Sequence, residues 1–90
     1  MPRFVIEREI ANAGALSDAE LAAISRRSCD VLRAMGPSIQ WIESFVTDDK
    51  IYCVYRADTA DAIREHARAG GFPADRIAAV RCTIDPSTAE

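Results

Sequence analysis

The sequence predicts a single α+β domain of the ferredoxin-like βαββαβ type, and three observations carry it. Alternating apolar residues open and close the chain, two amphipathic stretches with helix-capping signals lie between them, and a tight apolar hairpin separates the two stretches. Ninety residues fit one compact domain, read as spanning 1–90 with residues 85–90 as a fraying tail.

Residues 2–10 alternate as a strand, with Phe4, Ile6 and Ile10 on one side and Arg3, Val5, Glu7 and Glu9 on the other. Asn12-Ala13-Gly14 interrupts it. Ser17-Asp18-Ala19-Glu20 then has the form of a capping box, in which the Ser17 hydroxyl accepts from the Glu20 amide and the Glu20 carboxylate reaches back. Leu21, Ile24, Ser28, Val31, Leu32 and Met35 recur at spacings of three and four up to Gly36-Pro37, so the helix is expected over 18–35.

Residues 38–47 and 50–57 are rich in β-branched and aromatic side chains around Asp48-Asp49, the pattern of an antiparallel hairpin. A two-residue turn sets Val46 opposite Ile51, Phe45 opposite Tyr52, Ser44 opposite Cys53, Glu43 opposite Val54 and Trp41 opposite Arg56. That register assigns Ile42, Ser44, Val46, Ile51, Cys53 and Tyr55 to the helix-covered face. Ile39, Trp41, Glu43, Phe45, Tyr52, Val54 and Arg56 go to the other.

Asp58, with Asp61 reciprocating, is read as the cap of a second helix whose narrow stripe is Ala60, Ile63 and Ala67, ended by Gly70-Gly71. Pro73 to Arg76 is expected to form a helical turn. Ile77 to Ile84 is expected to form the last strand, with Val80, Cys82 and Ile84 on one face.

In this topology both helices cover one sheet face, leaving Trp41, Phe45, Tyr52 and Val54 on the other, an apolar area that asks for a partner. A homodimer formed face to face, enclosing an aromatic slot, is the expectation.

Composition narrows the function. A net charge of −3 with Lys50 as the only lysine lacks the basic footprint of a nucleic-acid binder, and no segment reaches the ~20 apolar residues of a membrane span. Met1 to Glu7 shows no basic region followed by an apolar one, so no secretory signal is expected. The odd number of cysteines, Cys29, Cys53 and Cys82, each inside an apolar pattern, indicates reduced core thiols, and the reading is cytoplasmic. Gly-x-Ser-x-Gly, P-loop and Gly-x-Gly-x-x-Gly motifs do not occur, so the enzyme reading is the weaker one.

Several stretches resemble a known family: Ile24-Ser25-Arg26-Arg27-Ser28, Gln40-Trp41, Val46-Thr47-Asp48-Asp49-Lys50, Tyr52-Cys53-Val54-Tyr55, Glu65-His66-Ala67-Arg68, Gly70 to Ile77 and Ile84-Asp85-Pro86. Together they are similar to the small nickel-binding-protein-like family, a domain of unknown function in the dimeric ferredoxin-like group, along almost the whole chain. The resemblance implies a dimer and a role in binding or sequestering nickel. Members of that family carry histidine where this chain has Glu43, which thins any metal site on that strand.

The residues themselves offer one imidazole. His66, read as lying on a helix flank, is the candidate nickel ligand with Glu65, Asp61 or Asp75 beside it, a set that would leave the metal exposed and completed by water. The alternative is a small-molecule-binding or cofactor-free catalytic site between two sheets, lined by Glu7, Trp41, Glu43, Tyr52 and Arg56. A cross-strand ion pair of Glu7 with Arg56 or Arg81 is the plainer reading of those charges.

Overall fold

The computed structural model describes residues 1–90. Its elements run β1 (Arg3–Glu9), α1 (Asp18–Met35), β2 (Ile39–Val46), β3 (Lys50–Ala57), α2 (Ala60–Gly70) and β4 (Arg76–Ala79), with short 3-10 turns at Ala13–Ala15 and Pro86–Ala89. The four antiparallel strands lie in the order β2-β3-β1-β4, the ferredoxin-like arrangement that the sequence predicts.

Helix α1 begins at the expected residue because its capping box forms. Glu20 N donates to Ser17 Oγ at 3.1 Å and Ser17 N donates to Glu20 Oε1 at 3.0 Å. Helix α2 is capped by Thr59 rather than Asp58: Ala62 N donates to Thr59 Oγ1 at 3.2 Å. Gly71, at φ 71°, ends α2 in the left-handed region.

The hairpin register holds from Glu43 to Val46 and breaks beyond it. A β-bulge between Trp41 and Glu43 leaves Ile42 unpaired and shifts the strand by one residue, so Trp41 opposes Tyr55 and Ile39 opposes Ala57. Below the bulge, β2 therefore turns Ile39 and Trp41 towards the helices. Ile39 is buried and Trp41 packs on the core, while Ile42 is exposed.

The core lies between sheet and helices: Phe4, Ile6, Ile39, Ile51, Cys53, Tyr55 and Ala57 from the strands, and Ile63 from α2. Strand β1 also sends Arg8 into it. Strand β4 is shorter than predicted, because pairing with β1 ends at Ala79 and everything from Arg81 onward is exposed, Cys82 and Ile84 included. The helical turn expected at Pro73 to Arg76 is absent, and within the tail expected to fray Pro86–Ala89 form the second 3-10 turn.

Candidate functional site

The residue that organises the interior is Arg8, and its place follows from strand parity. In β1, Phe4, Ile6 and Arg8 share the helix-covered face, so the guanidinium is carried into the core, 4% exposed. Nε donates to Cys53 Sγ at 3.4 Å and Nη1 donates to the Pro73 carbonyl at 2.5 Å. The guanidinium carbon also lies 5.9 Å from the Tyr55 ring centre and 5.6 Å from that of Phe72. Nη2 is buried with no partner, and no carboxylate pairs with this charge.

Helix α2 contributes His66. Ile63, His66, Ala67 and Gly70 fall at i, i+3, i+4 and i+7, and all four are buried. The imidazole sits between Tyr55 and Phe72, at ring-centre distances of 5.3 Å and 5.6 Å, with its Nε2 3.2 Å from Ser28 Oγ. Burial pushes its pKa below the usual histidine value, helped by the Arg8 charge and opposed by the Ser28 contact. The Ser28 Oγ is in turn 3.4 Å from the Tyr55 hydroxyl, whose pKa burial raises.

Phe72 reaches this cluster because Gly70 leaves room for it. A Cβ built on Gly70 would stand 2.2 Å from Cε2 of the Phe72 ring. The Arg27 guanidinium carbon also lies over this ring, 4.7 Å from its centre.

These side chains border a cavity of about 80 Å³ between α1 and the sheet. Arg8, Ser28, Cys53, Tyr55 and Phe72 line it along with Leu21, Ile24, Trp41, Ser44 and Val46, and its walls are mostly apolar. Trp41 Nε1 donates to Ser44 Oγ at 2.9 Å, which fixes the indole as one wall. Val46 is exposed, so the opening lies beside the end of β2.

The residues expected to bind metal do not come together. His66 is fully buried rather than on a flank. Glu65 is paired with Arg68, Asp61 with Arg64 at 2.6 Å, and Asp75 accepts from the backbone N–H of Glu9 at 2.7 Å. The alternative pocket is divided between the two faces: Glu7, Glu43, Tyr52 and Arg56 stand on the open face, and Trp41 on the helix side. Glu7 accepts from Lys50 at 3.2 Å, not from Arg56 or Arg81. On the open face Phe45, Tyr52 and Val54 remain together, without Trp41.

Arg8, Ser28, Tyr55 and Phe72 as one cluster were not anticipated. The signal for Arg8 was the parity of Phe4 and Ile6, and the signal for His66 was its spacing from Ile63 and Gly70.

Fold and site together define a small ferredoxin-like α+β domain with an apolar cleft between α1 and the sheet. The chain belongs to the SCO4226-like family, described as nickel responsive protein SCO4226-like, whose model matches residues 4–80. The crystal structure of SCO4226 from Streptomyces coelicolor A3(2) superimposes with a TM-score of 0.78 at 15% identity, covering 91% of this chain and 99% of that one, which establishes the shared fold. No curated protein sequence matches the chain.

The donor set does not fit nickel. No three His, Cys, Asp or Glu side chains converge anywhere in the chain, and the single imidazole is enclosed by aromatic rings. No helix is long and apolar enough to cross a membrane.

Proposed function

We propose that this protein is a small-molecule-binding member of its nickel-responsive family, acting as a cytoplasmic homodimer with its ligand in the cavity between α1 and the sheet. The supporting observation is that cavity itself, an apolar cleft of about 80 Å³ open to solvent beside the end of β2. Its walls include Leu21, Ile24, Trp41 and Phe72, all half-buried, whose apolar surface a ligand would cover. At ~30 Å³ for each water in the liquid, it encloses roughly three non-hydrogen atoms, and a longer ligand would extend through the opening beside β2.

The homodimer rests on the open sheet face. Phe45 is 54% exposed there beside Tyr52 and Val54, and a second copy applied by a two-fold axis would cover all three.

Trp41, the only tryptophan, is a built-in reporter because it forms a wall of the cavity. Titrating four-carbon alcohols and amides while following its emission should give saturable changes, and filling the opening by Leu21→Trp, read by heteronuclear NMR, should abolish them. Linear, non-saturating responses from every compound would remove the cavity as the ligand site.

Direct binding or sequestration of nickel is the second reading, and the family's description is what favours it. It requires donors that assemble only in the dimer or on metal binding, because the chain alone does not gather them. Calorimetric titration with nickel chloride decides it: heat saturating at a fixed stoichiometry supports this reading, and heats of dilution alone dismiss it.

A further inference from the structure

We propose that the cavity's ligand is an anion, a short-chain carboxylate whose head group lies against Arg8 and whose chain runs out between Ile24 and Trp41. This deepens the small-molecule reading above and rests on it.

The first support is charge. Arginine stays protonated in proteins, and a buried guanidinium without a counter-ion is costly unless paired. Every ion pair of the chain lies on the surface and none includes Arg8. Its neighbours are a thiol, a carbonyl, two aromatic rings and the Tyr55 hydroxyl, none of them charged, and Nη2 makes no hydrogen bond.

The second support is a count of donors. His66, Ser28 and Tyr55 form a chain of contacts at 3.2 Å and 3.4 Å. With His66 neutral and its proton on Nε2, the N–H donates to Ser28 Oγ; between Ser28 and Tyr55 either hydroxyl can donate, and when Ser28 donates the Tyr55 O–H is free for an acceptor. That tautomer leaves Nδ1 as a bare lone pair and spares the interior an unpaired buried N–H, in keeping with its lack of any partner. The cluster therefore ends on Tyr55 and Arg8, two residues of the cavity wall, and no carboxylate is among the residues that line it; Nη2 is covered in the unliganded protein, so a ligand head group must part the wall to reach it. A ligand carboxylate accepts from both.

The third support is shape. Beyond these groups the walls are apolar, set by Leu21, Ile24, Ile51 and Trp41, so the rest of the ligand is a short hydrocarbon chain. Butyrate, with six non-hydrogen atoms, exceeds the enclosed volume, so the end of its chain would lie in the opening beside β2.

Butyrate and its neutral isostere butyramide are titrated against the wild-type protein at pH 7.5 and constant ionic strength, with Trp41 emission as the readout. Butyrate is expected to bind about ten-fold or more tightly, because hydrogen bonds to a charged donor are the stronger class. Arg8→Met, which keeps the length of the side chain and removes its charge, should bring the two within about two-fold of each other. Equal affinity of the two for the wild type would overturn the anion assignment and leave the cavity reading standing. Failure of both to bind would overturn the two together. The wild-type comparison stands without the variant, so a misfolded Arg8→Met does not rescue the proposal.

Discussion

Gly70→Ala should destabilise the domain, although a glycine with helical φ in the last turn of a helix is ordinarily a site where alanine helps. Gly70 has no positive φ, so helix propensity alone credits the substitution with about 1 kcal/mol of added stability. The new Cβ, however, would stand 2.2 Å from Cε2, 2.6 Å from Cδ2 and 3.1 Å from Cζ of Phe72. Real contacts do not approach so closely, so the ring must swing away. It would lose its stack on His66 at 5.6 Å and its contacts with the guanidinium groups of Arg8 and Arg27. Overpacking costs about 1–3 kcal/mol, and an aromatic pair or a cation over a ring adds about 0.5–1.5 kcal/mol. The net should be a loss of about 1–2 kcal/mol, measured by urea unfolding at constant m. In a Phe72→Ala background the sign should reverse, since the clash is gone and only helix propensity is left. A Gly70→Ala protein more stable than wild type by about 1 kcal/mol would refute the placement of Phe72 over the helix end, and with it one wall of the cavity.

Burial holds the folded pKa of His66 below its ordinary value, so the unfolded chain binds the extra proton first; stability should fall as pH drops below about 6.5, by up to ~1.4 kcal/mol per pH unit until the folded pKa is passed. His66→Ala should flatten that slope while costing about 2–5 kcal/mol, the range for a large buried side chain, as read by denaturant titrations at several pH values. Native thiol labelling should be fastest at Cys82 and slowest at Cys53, and quick modification of Cys53 would contradict the sheet parity. Phe45→Lys should convert a dimer to a monomer in sedimentation velocity without altering Trp41 emission, because the two residues occupy opposite faces; a wild-type monomer at micromolar concentration would remove the dimer.

What was legible in the sequence was whatever periodicity and capping chemistry specify. Ser17 and Glu20 gave the start of α1 to the residue, and Asp48-Asp49 gave the hairpin register from Glu43 to Val46. The bulge at Ile42 has no compositional mark: one extra isoleucine in an apolar run looks like any other, yet it moves Trp41 from the open face to the core. Arg8 and His66 were visible in the pattern, at strand parity with Ile6 and one turn from Ile63. Chemistry argues for placing a charged or titratable residue outside, and here tertiary packing prevailed. The end of β4 depends on where β1 begins, a limit set by the partner strand at Arg3 and not by Val80 to Ile84 themselves.

The most direct test is one crystal structure of the protein soaked with butyramide and nickel chloride together, with data collected at the nickel absorption edge. The cavity account predicts density for the amide between Ile24 and Trp41, and no anomalous peak at His66. A nickel peak within bonding distance of the His66 ring, with the cavity filled by protein side chains, would contradict it.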